Sequence, residues 1–376
     1  MFVNRVGAMV VPFLGIYMTD QLHFNLKQTG LVLSCFGVGA LTGSVLGGKL
    51  TDIKGHFSVQ FGSLVLVAPL FFLLPHLETP LSLSIGVFAV GLISEMFRPA
   101  NSVSIAHYAK PQNITRALSL NRMALNLGFS IGPAMGGLLA AISYKLLFYG
   151  NGITVLAAGI IFYLYFRNRE GNKRPHRTLE QAQGVKETSP YRDLPFLLFN
   201  VLIALYCLCF YQLISTLPIY YKQVYGLADG QVGVLLAFNG LVVFLLEMLI
   251  VDIAERHLSP MQSIILGCAF LSLAFVLLPL FTSSGMGILY LSMFILSVSE
   301  ILAMPFMASV ALLRARPSTR GAYMGLNGLA FSSAHIFSPY IGTQTVAYFS
   351  FETLWYIIAL LCAICALGMY ALKGKL

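Results

Sequence analysis

The stretch "NLGFSIGPAMGGLL", residues 126–139, consists almost wholly of glycine and apolar side chains. The span that holds it, residues 117–142, is 26 residues long. At 1.5 Å of rise per residue, a helix of that length crosses the ~30 Å hydrocarbon core of a bilayer. Gly128, Gly132 and Gly136 recur every fourth residue, so they share one helix face. Such a face lets a second helix approach backbone to backbone. Pro133 removes one backbone hydrogen bond and permits a kink. The segment reads as a membrane helix built around a tight seam.

The rest of the chain agrees. Of 376 residues, 10% are charged and 57% hydrophobic, whereas a soluble domain carries about 25% charged residues. A water-facing surface has to be polar somewhere, so a soluble enzyme, a nucleic-acid module and a secreted disulfide scaffold all drop out. Twelve stretches are long and apolar enough to span: 3–19, 28–50, 58–75, 81–106, 117–142, 146–166, 195–221, 230–251, 260–281, 286–312, 321–346 and 352–372. The chain opens almost at once in the first of these, without the features of a cleavable leader. One connection is long and polar, "RNREGNKRPHRTLEQAQGVKETSPYRD" at 167–193, and reads as a cytoplasmic linker. The expected architecture is therefore an all-α integral membrane protein of twelve transmembrane helices. Residues 1–166 and 194–376 form its two six-helix halves.

Lys and Arg set the orientation. With both termini cytoplasmic, the inner connections hold 18 of them and the outer ones 3, namely Lys27, Lys145 and Lys222. Arg5 and Arg98 fall within spans. The net charge of +9 is thus a set of topology determinants facing an anionic leaflet, not a nucleic-acid surface. A multi-pass plasma-membrane protein is expected. The six cysteines all lie inside apolar stretches and read as small packing residues, including the C-x-x-C at Cys362 and Cys365.

The halves repeat one another. "SEMFRPANSVSIA" in the fourth span matches "SEILAMPFMASVA" in the tenth. The fifth and eleventh spans each place Gly three residues after Pro, at Pro133/Gly136 and Pro339/Gly342. Asp52 at the end of the second span matches Asp252 at the end of the eighth. Six spans separate each pair, so the copies share one orientation, as in carriers made of two parallel repeats. Such halves give alternating access by rocking. A carrier fits better than an enzyme, a receptor or a scaffold, which has no reason to bear the cost of buried charge.

Two stretches resemble signatures of the major facilitator superfamily. "GGKLTDIKGHF", residues 47–57, is similar to its loop motif at Gly48, Asp52 and Gly55. Ile53 stands where that motif has a basic residue, with Lys54 one place later, and His56 stands where Arg or Lys is usual. Residues 126–139 resemble the antiporter motif at Gly128, Gly132, Pro133, Gly136 and Gly137. The resemblance implies the major facilitator fold and drug–proton antiport, with the glycine seam sealing a proton leak where the halves meet. Asp52 is expected to cap the neighbouring helix and latch the outward-facing state. A fainter likeness, in residues 4–19 and in Glu300 five residues before Pro305, points to proton-coupled peptide transporters, although their E-x-x-E-R signature is absent.

Ionisable groups inside a span cost about 3 kcal/mol or more and mark function by default. Glu95 and Arg98 are three apart near mid-membrane and can pair on one face. Glu300 lies as deep in the tenth span, with Ala303 where the first half has Arg98. Glu300 is the first choice for the carried proton and Glu247 the second. Glu95 with Arg98, Arg5 and His335 complete the proton-coupling candidates. Desolvation disfavours a buried carboxylate's charge and a nearby Arg favours it, so a cavity that changes sides can load and release a proton. Substrate contacts are expected from Tyr206, Tyr211, Gln212, Asn239, Asn101 and Asn126, a set suited to an amphipathic or aromatic ligand. No phosphate-binding loop occurs in the sequence, so an ion gradient or the substrate's own gradient must drive transport. The sequence thus points to a proton-coupled exporter of small amphipathic compounds; the alternative is a proton-coupled importer of peptides or another nutrient. Its partners are a small-molecule substrate, protons and lipid, and the protein acts as a monomer. No metal or cofactor is called for.

Overall fold

A computed structural model describes residues 9–108, 114–167, 190–281, 285–315 and 320–376. Arg5 and most of the linker, 168–189, lie outside the described residues. The described chain is helical, with no strand. Before the linker come α1 (Val10–Asp20), α2 (Leu26–Lys54), α3 (His56–Leu73), α4 (Pro80–Tyr108), α5 (Ile114–Ile142) and α6 (Tyr144–Phe166). After it the longer helices are α7 (Leu194–Phe210), α8 (Asp229–His257), α9 (Pro260–Leu280), α10 (Met286–Arg314), α11 (Arg320–Tyr348) and α12 (Phe351–Leu372). Local chemistry starts these helices where the polar breaks lie. Asn25 and Gln28 form a reciprocal capping box on α2, and Ser259 with Gln262 does the same on α9, where Pro260 occupies the first turn. Asp193 caps α7, its Oδ1 accepting from the Phe196 N–H.

Ten described helices are long and apolar enough to cross a membrane. The other two spans read from sequence correspond to α1, which is short, and α11, which is long but more polar. The expected continuous seventh span is broken. After α7 come a single turn, Gln212–Ser215, and a separate helical segment, Leu217–Tyr225. Pro218 sits in the first turn of that segment, where it has no N–H to carry a helix through. Gly226, at φ +62°, ends it in a left-handed cap.

The chain forms two compact units. One joins residues 1–177 to 213–240, and the other joins 178–212 to 241–376. In the first unit α2 packs most closely on α4. A Cβ on Gly47 would stand 2.6 Å from Met96 Cα, and on Gly39 and Gly43 it would run into the carbonyls of Phe88 and Leu92. Only glycine permits this approach. Gln60 of α3 donates to the Ala100 carbonyl of α4 at 2.9 Å, both inside the bundle. In the second unit α9 packs between α10 and α12. Gly267 abuts Ala303, and Trp355 stacks on Phe275 with centroids 5.4 Å apart. Cys207, Cys209, Cys268, Cys362 and Cys365 are buried here, and the Cys268 and Cys365 sulfurs lie 3.7 Å apart. Large apolar side chains cover the outside. Leu245, Met248 and Leu249, at 62%, 70% and 58% exposure, make one stripe on α8, a surface suited to lipid rather than water.

Candidate functional site

Within the first unit, α4 carries the charges. Arg98 Nε meets Glu95 Oε2 at 3.2 Å, the three-residue spacing placing both on one face. The two ends differ in surroundings: the Glu95 side chain is 16% exposed and that of Arg98 59%. The pair lines a cavity of about 90 Å³ that runs between α1, α2, α3, α4 and α6. Its other walls are mainly valine, leucine and phenylalanine. Below it on α4, Asn101 Nδ2 donates to Asn121 Oδ1 of α5 at 3.3 Å. Asn126 is half-buried on α5 and Asn239 buried on α8.

The antiporter-like stretch divides its glycines between two partners. Gly136 faces α1, where a Cβ would stand 3.0 Å from that of Met9. Gly137 faces the start of α8, with the Asp229 carbonyl 2.6 Å from the Cβ position. The same seam continues through Gly233 against the Pro133 carbonyl and Gly240 against the Ser130 backbone, at 2.5 and 2.6 Å. Ser130 Oγ donates to the Ala237 carbonyl across it. Gly128 and Gly132 are buried on α5. Across this seam α5 presents Ser130, Pro133 and Gly137 to α8, which carries Gly233 and Gly240 there. Gly55, at φ +82°, holds the N-cap position of α3. Asp52 is exposed at the end of α2, and a Cβ on Gly48 or Gly55 would meet nothing.

In the second unit Glu300 is half-buried on α10, within electrostatic reach of the Tyr206 phenol. Tyr206 itself is fully buried. Its hydroxyl shares a 2.9 Å hydrogen bond with Ser299 Oγ, which donates on to the Gly267 carbonyl at 2.6 Å. Tyr206 packs between α7, α9 and α10. The break after α7 brings three candidates together on α11. Tyr211 stacks on His335 with centroids 3.7 Å apart, and Gln212 Nε2 donates to the Ser338 carbonyl at 3.0 Å. Glu247 is half-buried on α8 beside the lipid-facing stripe.

Two ion clusters were not singled out by the sequence. In the first unit Lys222 Nζ reaches Asp20 Oδ2 at 2.8 Å and Asp229 Oδ1 at 2.6 Å, with the Tyr144 hydroxyl at 3.4 Å. Burial works against the Lys222 ammonium, but its bonds to Asp20 and Asp229 outweigh it and hold the group charged above its ordinary range. In the second unit Arg314 Nε and a terminal nitrogen clamp Asp193 at 2.6 and 2.8 Å, and the Tyr323 hydroxyl donates to the same carboxylate at 3.0 Å. The hydrogen bond from Arg314 holds the Asp193 carboxyl below its usual range. Asp20 lies some 200 residues from Lys222, and Asp193 lies 121 from Arg314, so no motif spacing marks these pairs.

A bundle of apolar membrane-length helices, with an ion pair set beside a cavity inside one half, defines a multi-pass membrane transporter rather than an enzyme. The model of the Major Facilitator Superfamily matches residues 1–339, and the chain belongs to that family. It is 24% identical to "Multidrug resistance protein 1" of Bacillus subtilis, over 91% of this chain and 86% of that protein. It is also 24% identical to the "Na(+), Li(+), K(+)/H(+) antiporter" of Planococcus maritimus, over 100% and 94%. Among solved structures, peptide transporter POT in complex with sulfate superposes with a TM-score of 0.83 at 17% identity, covering 100% of this chain and 92% of that one. That likeness concerns the fold.

Proposed function

We propose that the protein is a proton-coupled secondary transporter of the plasma membrane that exports small amphipathic compounds by alternating access. The observation that carries this reading is the Glu95–Arg98 pair at a cavity inside a lipid-embedded bundle. Charges at that depth cost about 3 kcal/mol or more and persist where they handle an ion or substrate. The printed names of the relatives, a multidrug resistance protein and a cation/proton antiporter, support the export and coupling parts. Twelve spans in two parallel repeats, with both termini cytoplasmic, follow from the spacing of apolar stretches and the Lys/Arg bias. The protein acts as a monomer. The repeats are residues 1–166 and 194–376, joined by 167–193. Glu300 carries the proton: it lies deep in the tenth span, at the position that repeats Glu95.

The test is a proteoliposome assay of proton flux against a panel of amphipathic compounds, followed by Glu300→Gln. A glutamine keeps the shape of the protonated acid and releases no proton. Gradient-driven transport is expected to stop while substrate counterflow survives. Wild-type gradient-driven rates in Glu300→Gln would move the proton to another residue, with Glu247 next. Accumulation in right-side-out rather than inverted vesicles would favour import of a nutrient.

A further inference from the structure

We propose that Asn200 and Asn327 bind a single water molecule between α7 and α11 in the second unit. The site lies apart from the Glu95 cavity and does not depend on the transport reading.

Polar side chains that α11 buries need partners inside the bundle, because the hydrocarbon around it offers none. The helix packs chiefly on α7. Tyr323, Asn327, Ala330, Ala334 and Ser338 are buried on it, and their spacing of three or four residues puts them on one face. Two contacts fix how that face lies on α7. At the start of both helices the Tyr323 ring packs on Phe196, with centroids 4.5 Å apart. Just past the end of α7, Gln212 Nε2 donates to the Ser338 carbonyl at 3.0 Å. Residue numbers rise together from one contact to the other, so the two chains run parallel. One turn on from Phe196 is Asn200, and one turn on from Tyr323 is Asn327. The register therefore sets the two amides opposite each other.

Both are buried, at 5% and 4% exposure. Asn200 Nδ2 donates to the Phe196 carbonyl at 2.8 Å, which fixes the orientation of that amide. Among the described residues Asn200 Oδ1 has no hydrogen-bond partner, and neither has Asn327 Nδ2. One is an acceptor without a donor and the other a donor without an acceptor. A dry pair would leave both unsatisfied at a depth where no other partner exists. A cation would be met by the N–H of Asn327, and an anion by the oxygen of Asn200. The occupant has to accept on one side and donate on the other, and in an interior this closely packed water is the group that does so. It accepts from Asn327 Nδ2 and donates to Asn200 Oδ1. A bridge of this kind is nearly as favourable as a direct bond, so it fastens α11 to α7.

The test is hydroxyl-radical footprinting of the full chain in nanodiscs, with an X-ray pulse generating radicals from water wherever it sits. Each reporter is compared with a residue of the same type and burial. Phe199, next to Asn200, is set against Phe275, and Ile203, about one turn further, against Ile264, all four at 0% exposure. Phe199 and Ile203 are expected to be labelled several-fold faster than their controls. The double change Asn200→Leu with Asn327→Leu removes acceptor and donor together, so labelling should fall to the control level while melting stays near wild type. Each single change strands the remaining amide, so the double change should lower the melting temperature by less than the two singles summed. Should the variants fail to fold, the wild-type comparison decides by itself. Labelling of Phe199 and Ile203 at the control rate in folded wild type, unaltered labelling in the double variant, or strictly additive melting shifts would overturn the assignment.

Discussion

Replacing Lys222 by Met removes a charge while keeping most of the side chain's length and apolar stem. In the native protein that charge joins three elements: Asp20 at the end of α1, Asp229 at the start of α8, and the segment Leu217–Tyr225 that carries Lys222 itself. The side chains are 23%, 28% and 10% exposed, so solvent screens them only in part. Two charge-assisted bonds of this kind, taken at the low end for partial exposure, contribute about 2 kcal/mol together. That free energy holds the segment and the first turns of α8 against α1 and α6. Its loss raises the local opening equilibrium by about 30-fold. The assay is hydrogen exchange read by mass spectrometry on peptides covering 217–240, with peptides from α9 and α10 as the internal control. Exchange in 217–240 is expected to quicken by about that factor while the control peptides stay unchanged. Adding Asp229→Asn to Lys222→Met should cost little more, since the partner is already lost. The bonded state raises the affinity of Lys222 for its proton, so the stabilisation is complete below the ordinary lysine value of 10.5 and fades as pH rises through the raised folded-state value. The difference between wild type and Lys222→Met should therefore be constant through neutral pH. Unchanged exchange in 217–240 at pH 7 would refute the reasoning that the cluster fastens this segment.

Gly43→Leu puts a large side chain where even a Cβ meets the Leu92 backbone, so melting in detergent should fall by an amount matching several kcal/mol; Gly48→Leu on the same helix, with open space at its Cβ, should melt within a degree or two of wild type. Glu95→Gln and Arg98→Gln should each destabilise the solubilised protein more than the double change does, because each breaks the 3.2 Å contact and leaves the other charge in place; strictly additive melting shifts would show that the pair does not interact. Asp193 is held below its ordinary value of 3.8 chiefly by the bond from Arg314, so its contribution is complete above that value and is lost as pH falls through the lower folded-state value. Asp193→Asn should accordingly lower the melting temperature at pH 7, and the gap to wild type should narrow on acidification below about 3.8; a gap independent of pH would remove the ion pair as its cause.

Composition and one-dimensional periodicity determined much of this protein. A chain with 10% charged residues must place its apolar surface against lipid, and runs of about 20 apolar residues must be helices because the bilayer core offers no other partner for backbone N–H and C=O groups. For that reason most described helix starts lie within a few residues of where hydropathy places them, as for α2, α7 and α9. The Glu95–Arg98 pair was also legible, since both members sit on one helix and three residues apart fixes a shared face. The family motif located the glycines of α5 but not which neighbour each one meets. That depends on the rotation of α5 about its axis, which is set by α1 and α8 together. The closest helix approach, Gly39, Gly43 and Gly47 of α2 against α4, had the every-fourth-residue pattern in plain view, yet a Gly pattern does not say which of several such faces is used. The break after α7 was hidden because "STLPIYY" is apolar enough to continue a span, and hydropathy is blind to the N–H that Pro218 lacks. Asp20 and Lys222 are some 200 residues apart in the chain, and Asp193 and Arg314 more than a hundred. Coulombic pairing acts through space, so only the packing of the helices that carry them could bring these charges within bonding distance. The cavity beside Glu95 is likewise the space left when five helices meet, a property of their arrangement and of no single segment.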